Sequence, residues 1–351
     1  MKKLIAIACV LSLILAGMIA LLVRGKNRGT GTETTTTLPT QTTTTTTVPV
    51  TTTRLPQKTS TAANTSEILV NIPLENEMAK DALSQLQQLC RSYGSQISFT
   101  YIDLASGYSM EYRADRSYQA ASVIKAPYVK WLLTEGVDGS EKLTMTSGDK
   151  QGGSGIVDKE PAGTQFTVNE LMEYAVRYSD NTAYYMLNKK FGFKGFNDYA
   201  SKLGITANAN SHCVLSFPRP RFGYLSARDI ALYMQDIAKF IETDTADAKR
   251  LKGWMMSTSE ERQLTDAFSA ANVLYGLAAD APVDFEHEVA HKYGDTKNIE
   301  NAFHDGAIVY AEHPFVLSVA TSLEPFSEKS IEIFHELAFQ INKIQHAYYA
   351  K

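Results

Sequence analysis

The chain has 351 residues, of which 44% are hydrophobic, 21% charged and 10% aromatic. These proportions exclude a collagen-like, purely coiled-coil or wholly disordered protein. Residues 1–66 hold seven Lys/Arg and one acidic residue, whereas the remaining 285 residues hold 27 basic and 37 acidic ones. Because an acidic body without a basic stripe binds polyanions poorly, we expect no nucleic-acid partner.

The first 29 residues have the pattern of a membrane-targeting segment. Lys2 and Lys3 precede a mostly apolar run from Leu4 to Val23. Twenty residues at about 1.5 Å each span the roughly 30 Å of a bilayer core. A cleaved secretory signal has a shorter apolar region and a small-x-small site, and no such site follows Ala20. We therefore predict an uncleaved anchor in residues 1–29, with a cleaved signal as the alternative.

Residues 30–66 form a segment of strongly biased composition. From Thr30 to Ser66 there are 19 threonines in 37 residues, together with three prolines and almost no large apolar side chain. Such a segment buries too little surface to offset the entropy of ordering, so we predict a disordered stalk. Thr/Pro stalks hold domains away from cell surfaces, which indicates a single-pass membrane protein with an extracytoplasmic body.

The body, residues 67–351, has the pattern of one mixed α/β domain, which we expect to be monomeric. Helical spacing is found in residues 74–93 and 331–348, and most of residues 122–240 is also helical in pattern. Strand character is found in residues 96–103, 110–113, 308–310 and 315–321. These positions predict an antiparallel sheet built from both termini and flanked by helices, plus an all-helical lobe. A cleft between sheet and lobe is the expected site.

Three short motifs carry the candidate chemistry. The first is Ser122-Val123-Ile124-Lys125, whose spacing puts a hydroxyl and an amine on one helix face. A desolvated lysine can take the proton of a serine hydroxyl and so activate it as a nucleophile. The second is Ser179-Asp180-Asn181, which in isolation is equally typical of a helix N-cap. The third is Lys292-Tyr293-Gly294, which alone has almost no specificity.

In this order and spacing, the motifs resemble those of the penicillin-recognising serine hydrolases, specifically the class A β-lactamases and their relatives. The likeness runs from about Leu74 to Tyr349 and includes further segments around Gly153, Phe166 and Ser226. The resemblance implies the fold of that family and an acyl-serine intermediate formed with β-lactams or D-alanyl peptides. It implies neither a cofactor nor a metal.

The resemblance also implies roles for five side chains. Ser122 would be the acylated nucleophile and Lys125 its proton acceptor. Ser179 would pass a proton to the leaving nitrogen, and Asn181 would hold Lys125 and the substrate amide. Lys292 would bring positive charge to the cleft, which favours a neutral Lys125 and attracts a substrate carboxylate.

The same resemblance implies that the strand around Gly294 contacts the substrate. The backbone N–H groups of Ser122 and Asp295 would form the oxyanion hole, where losing one donor typically costs about 3 to 4 kcal/mol. Two residues depart from the family pattern: Tyr293 replaces a small hydroxyl residue, and Phe303 replaces an arginine that serves the substrate carboxylate. These departures favour penicillin binding or cell-wall peptide chemistry over efficient β-lactam hydrolysis.

A third departure concerns the glutamate that positions the deacylating water in class A enzymes. No glutamate occurs between Glu173 and Glu242, and the expected loop, Leu215–Tyr224, contains no carboxylate. Asp229 is the nearest acid, but Ser226-x-x-Asp229 is typical of a helix cap. A missing base leaves acylation intact, and we expect deacylation to be slowed by about 10² to 10⁴-fold. The alternative is a penicillin-binding DD-peptidase or transpeptidase, or a non-catalytic sensor.

Two further patterns need an interpretation. His287-Glu288-Val289-Ala290-His291 matches the H-E-x-x-H zinc-protease motif, which binds metal only when it is helical. The resemblance requires a strand here, so a zinc peptidase is a distant alternative and we expect no metal. Cys90 and Cys213 could pair in an oxidising compartment, although we expect free thiols.

Overall fold

The computed structural model describes residues 66–205, 223–258, 263–271, 285–297 and 300–350. The predicted anchor and nearly all of the predicted stalk lie outside these residues, as do Cys213 and most of the Leu215–Tyr224 loop. Within the described ranges, no helix combines the length and apolar character needed to cross a bilayer.

The described residues form ten strands and nine α-helices. The strands are β1 Leu69–Val70, β2 Ile97–Asp103, β3 Ser109–Tyr112, β4 Ser117–Gln119, β5 Lys142–Thr144, β6 Gln165–Thr167, β7 Tyr224–Ser226, β8 Glu288–Lys297, β9 Asn301–Tyr310 and β10 Phe315–Thr321. The helices are α1 Glu77–Tyr93, α2 Lys125–Thr134, α3 Val168–Arg177, α4 Asn181–Phe191, α5 Lys194–Lys202, α6 Ala227–Ile241, α7 Ala246–Met256, α8 Leu264–Ser269 and α9 Glu328–Tyr349.

The main sheet has six antiparallel strands in the order β1-β3-β2-β10-β9-β8. Strands from the two ends of the chain meet where β2 pairs with β10, so that Ile97 lies opposite Thr321. The prediction of an antiparallel sheet assembled from both termini is therefore confirmed. Two short ribbons, β4–β7 and β5–β6, lie outside this sheet.

Both faces of the central strands are covered, which explains why β2 and β10 are buried along their whole length. Phe99 and Tyr101 of β2 belong to a core that includes Leu337 and Ile341 of α9. Ile102 belongs to a second core, which extends through α2 to α7 and forms the predicted helical lobe. Because neither face is exposed to water, Ser98 and Thr100 of β2 are buried although they alternate with apolar residues.

Helix starts near the cleft are fixed by side-chain caps. At α6, the Ser226 Oγ accepts a hydrogen bond from Asp229 N at 3.1 Å, and the Asp229 carboxylate accepts one from Ser226 N at 2.9 Å. The capping interpretation of Asp229 is thus confirmed. Thr167 and Glu170 form the same reciprocal pair at the start of α3. Each such cap is worth about 1 kcal/mol.

Strand β9 is longer than the sequence pattern predicts. The pattern indicates a strand only at residues 308–310, whereas β9 runs from Asn301 to Tyr310. His304, Asp305 and Gly306 have weak strand propensity. They are nevertheless held in the sheet because β9 pairs with β8 on one side and with β10 on the other.

Candidate active site

Ser122 lies in a tight turn that leads directly into α2. The turn, Ala121–Ile124, is a 3₁₀ helix, and α2 begins at Lys125. Ala121 has a φ of 49°, a left-handed conformation that is costly for a residue with a side chain. Such strain persists only where the surroundings enforce it, and it is concentrated at functional sites. Ser122 is 9% exposed, so it is nearly buried but retains some contact with solvent.

Lys125 is fully buried and is held by the second motif. Its Nζ donates hydrogen bonds to the Ser179 carbonyl oxygen at 2.5 Å and to Asn181 Oδ1 at 2.7 Å. Burial lowers the pKa of Lys125 well below its ordinary value of 10.5, and the charge of Lys292 lowers it further. The nearby carboxylates of Asp180 and Asp295 oppose these effects. Because burial dominates, the amine favours the neutral form, which can accept a proton.

The Ser179-Asp180-Asn181 motif is both a helix cap and part of the site. Asp180 caps α4 by accepting a hydrogen bond from Ala183 N at 2.8 Å. Its other carboxylate oxygen accepts from Ile156 N at 2.6 Å, which ties the preceding loop to the motif. Ser179 has a φ of 50°, a second left-handed residue in the cleft. The two interpretations of this motif are therefore compatible.

Asn181 connects Lys125 to the glycine-rich loop. Its Oδ1 accepts from Lys125, and its Nδ2 donates to the Gly152 carbonyl oxygen at 3.0 Å. The backbone N–H of Asn181 donates to the Ser154 carbonyl oxygen at 3.1 Å. With both ends of the amide engaged, the orientation of Asn181 is fixed and so is the position of the lysine.

Lys292 reaches the same cluster from β8. It is fully buried, and its Nζ donates to Ser179 Oγ at 3.2 Å and to the Tyr293 carbonyl oxygen at 2.9 Å. Burial lowers the pKa of Lys292 from 10.5 to about 7, although the charges of Asp305 and Asp295 act in the opposite direction. Lys292 is therefore partly protonated at neutral pH, and its charge acts on Lys125.

The β8 backbone packs directly against the Ser122 turn. A Cβ placed on Gly294 would lie 2.7 Å from Ser122 N and 2.6 Å from Val123 N. Only glycine allows this approach, which explains its presence in the third motif. Asp295 follows Gly294 in the strand, so its backbone lies beside the Ser122 turn, as the predicted oxyanion hole requires.

Tyr293 and Phe303, the two aromatic residues that depart from the family pattern, have different surroundings. Tyr293 is only 6% exposed, and its ring centre lies 3.9 Å from Lys292 Nζ. The ring therefore supports the lysine as a cation–π partner. Phe303 is fully buried, with its ring centre 5.1 Å from those of Phe326 and Phe334. Phe303 thus packs in the core and does not line the cleft.

The zinc interpretation is wrong because the H-E-x-x-H segment is not helical. Glu288 to His291 lie in β8, where residues four apart are separated by about 13 Å and cannot bind one metal ion. His287 Nε2 lies 3.2 Å from Asn342 Oδ1, and His291 contacts other partners. Within the described ranges, no group of three or more His, Cys, Asp or Glu side chains could hold a metal ion.

His291 of β8 and Asp305 of β9 form a buried pair that the sequence does not predict. His291 Nδ1 lies 3.0 Å from Asp305 Oδ2, and Thr265 Oγ1 lies 2.9 Å from His291 Nε2. Asp305 also accepts a hydrogen bond from Leu264 N at 3.2 Å. These contacts attach α8 to the strand that carries Lys292. His291 and Asp305 are diagonal neighbours, because the register pairs His291 with Ala307 and Tyr293 with Asp305, and no local sequence pattern indicates this contact.

A sequence model of the β-lactamase enzyme family matches residues 81–345. The chain belongs to this family. It is a β-lactamase-like serine hydrolase, as the resemblance predicted. Beta-lactamase 3 of Bacillus cereus is 26% identical over 249 residues, which cover 67% of this chain and 72% of that protein. A β-lactamase of Mycobacterium tuberculosis is 28% identical over 134 residues, or 36% of this chain and 44% of the relative.

Solved structures share the fold. PBP-A has a TM-score of 0.61 and 20% identity, with 78% of this chain and 99% of PBP-A covered. A mutant of PBP-A, solved as an acyl-enzyme complex with penicillin G, has a TM-score of 0.62 and 21% identity over the same shares. A β-lactamase from Sphaerobacter thermophilus has a TM-score of 0.59 and 17% identity, covering 76% of this chain and 97% of its own.

Proposed function

We propose that this protein forms an acyl-serine intermediate at Ser122 with β-lactams or D-alanyl peptides. Ser122 Oγ attacks the carbonyl carbon, and its proton passes to neutral Lys125. The carbon–nitrogen bond then breaks, and the leaving nitrogen receives a proton through Ser179 Oγ. Asn181 keeps Lys125 in place, and the N–H groups of Ser122 and Asp295 stabilise the oxyanion.

The observation that carries this proposal is the complete burial of Lys125 and its hydrogen bonds to Ser179 and Asn181. A fully buried lysine, three residues after the serine and held by Ser179 and Asn181, is suited to act as a base only if it is neutral. Burial and Lys292 both favour that neutral form. The acyl-enzyme complex of the PBP-A mutant with penicillin G supports the same chemistry on this fold.

We further propose that the acyl-serine is hydrolysed slowly. No glutamate occurs between Glu173 and Glu242, and the carboxylate of Asp229 is engaged in the α6 cap. Without a base to activate water, the ester formed by Ser122 persists. A long-lived intermediate favours a penicillin-binding peptidase or transpeptidase over an efficient β-lactamase. It is also compatible with a sensor.

Intact-protein mass over time, after adding benzylpenicillin to the full chain, tests both proposals. We expect an adduct that lasts for many minutes, is absent in Ser122→Ala and is unchanged in Ser140→Ala, a control at an exposed serine. Rapid loss of the adduct with release of hydrolysed penicillin would contradict slow deacylation. Absence of an adduct from both penicillin and a D-alanyl peptide would contradict the acyl-serine proposal.

We also propose that residues 1–29 anchor the protein in the membrane and residues 30–66 hold the hydrolase outside the cytoplasm. The apolar run from Leu4 to Val23 and the threonine-rich stretch support this arrangement. In fractionated cells, the full chain should sediment with membranes and be digested by external protease. A chain that is found in the soluble fraction with an intact N-terminus would contradict the anchor.

A further inference from the structure

His304 is a buried residue of β9 that has no part in the proposed reaction. It is 1% exposed and lies directly opposite Gly294 of β8. Residues that are directly opposite each other in a sheet point to the same face. Because the Cβ direction of Gly294 faces Ser122 N and Val123 N, the His304 side chain lies on the sheet face that carries the Ser122 turn.

Both ring nitrogens of His304 contact backbone groups of other strands. Nε2 lies 2.8 Å from the carbonyl oxygen of Gln119 in β4, and Thr321 N of β10 donates a hydrogen bond to Nδ1 at 3.0 Å. A carbonyl oxygen only accepts and a backbone N–H only donates, so Nε2 carries the ring proton and Nδ1 does not. Burial lowers the pKa of His304 to about 4, although the Gln119 carbonyl acts in the opposite direction, so the ring is neutral at pH 7.

Gln119 closely precedes the turn that contains the nucleophile. It ends β4, which pairs with β7 in a two-stranded ribbon outside the main sheet. Two residues later, Ala121 has its left-handed φ of 49°, and Ser122 follows. The hydrogen bond from His304 to Gln119 therefore joins the end of this ribbon to the main sheet just before the nucleophile. A strained turn of this kind persists only where the residues around it hold it in place.

We propose that His304 is a positioning residue that fixes the Gln119 carbonyl and with it the turn that presents Ser122. Thr321 N holds the ring in the orientation that this bond requires. The inference rests on the proposed acyl-serine function, in which His304 acts through the backbone and takes no part in proton transfer. Loss of its bond to Gln119 misplaces Ser122 Oγ, which lowers the rate of ester formation and leaves substrate binding nearly unchanged.

Two amide replacements separate the two hydrogen bonds of the ring. In His304→Gln the longer side chain can place an amide N–H near the Nε2 position, whereas in His304→Asn the shorter one can replace only the Nδ1 acceptor. Acylation of the full chain by benzylpenicillin is followed by intact mass over a range of penicillin concentrations. In His304→Asn we expect the maximal rate to fall about 100-fold, with the half-saturating concentration within about threefold of the wild-type value. In His304→Gln the maximal rate should stay within about fivefold of the wild-type rate, because the donor to Gln119 is retained.

His313→Asn is the matched control at a histidine in the β9–β10 turn, and it should acylate at the wild-type rate. Urea unfolding of each variant shows that it is folded and gives its change in stability. Equal maximal rates in His304→Gln and His304→Asn would overturn the positioning role, whether both rates fall or neither does.

The tautomer of His304 is tested without any substrate. In an NMR spectrum of the ring nitrogens of the full chain, which has seven histidines, the His304 signals can be identified by their absence in His304→Gln. They should show a protonated Nε2 and an unprotonated Nδ1 at pH 7. A protonated Nδ1 would overturn the proposal, because Thr321 N would then have no acceptor in the ring. Failure of both benzylpenicillin and a D-alanyl peptide to acylate the wild type would instead contradict the proposed function.

Discussion

Replacing Gly294 with alanine tests whether the close approach of β8 to the Ser122 turn sustains acylation. The new Cβ would lie 2.6 Å from Val123 N and 2.7 Å from Ser122 N, and ordinary contacts begin at 3.4 Å. Both neighbours are backbone atoms, so the strand itself must move away by about 0.8 Å. Overpacking of this size costs about 1 to 3 kcal/mol of unfolding free energy.

The effect on chemistry should exceed the effect on stability. A displacement approaching 1 Å would misalign the Asp295 N–H with the proposed oxyanion position, and such errors cost about 10²-fold in rate. We therefore expect the rate of acylation by benzylpenicillin, followed by intact mass, to fall about 100-fold in Gly294→Ala. Urea unfolding at the same pH gives the stability change.

Gly253→Ala is the matched control, because a Cβ there meets nothing within 4 Å and the residue lies in α7. It should gain about 0.5 to 1 kcal/mol of unfolding free energy and acylate at the wild-type rate. If Gly294→Ala acylated within about threefold of the wild-type rate, the argument that this contact sets the oxyanion geometry would be refuted.

Two further predictions concern the buried amines. As pH rises through the Lys292 pKa of about 7, the lysine loses its charge and the acylation rate should fall. In Lys292→Arg the maximal rate should be lower, but the rate should stay constant over this pH range because the guanidinium keeps its charge. A stopped-flow pH series in which both proteins behave alike would contradict this. Asn181→Asp places a charge 2.7 Å from Lys125 Nζ and raises the lysine's pKa, so acylation at pH 7 should be about 100-fold slower than in the wild type. This difference from the wild-type rate should shrink as the pH rises. Asn181→Ala is the uncharged control, and a pH-independent loss would argue against this mechanism.

The three motifs predicted the cluster of Ser122, Lys125, Ser179, Asn181 and Lys292 because order along the chain carries information that no single motif has. The structure brings these residues together, and their catalytic roles remain predictions. The strand assignment of the H-E-x-x-H segment also came from the resemblance. These features depend on local residue patterns that repeat across a family.

Other features depend on contacts between distant segments and could not be predicted. Whether Tyr293 faces substrate or supports Lys292 depends on how it packs against β9. The residues next to Tyr293 in the sequence do not indicate this packing. The position of Phe303 in the core follows from α9, which supplies Phe334. The left-handed backbone of Ala121 is imposed by the residues packed around it, because alanine itself does not favour this conformation.

The pairing of β2 with β10 has a consequence for biogenesis. Thr100 and Ser318, which are register partners in the sheet, are 218 positions apart in the chain. A sheet closed by such distant partners forms late and slowly, because the entropy of closing a long loop is lost before any contact is gained. During synthesis the Ser122 turn is made well before β8, so the early chain lacks the strand that packs against this turn. Because β8 pairs with β9 and β9 pairs with β10, we expect the proposed site around Ser122 to be completed only after β10 has been synthesised.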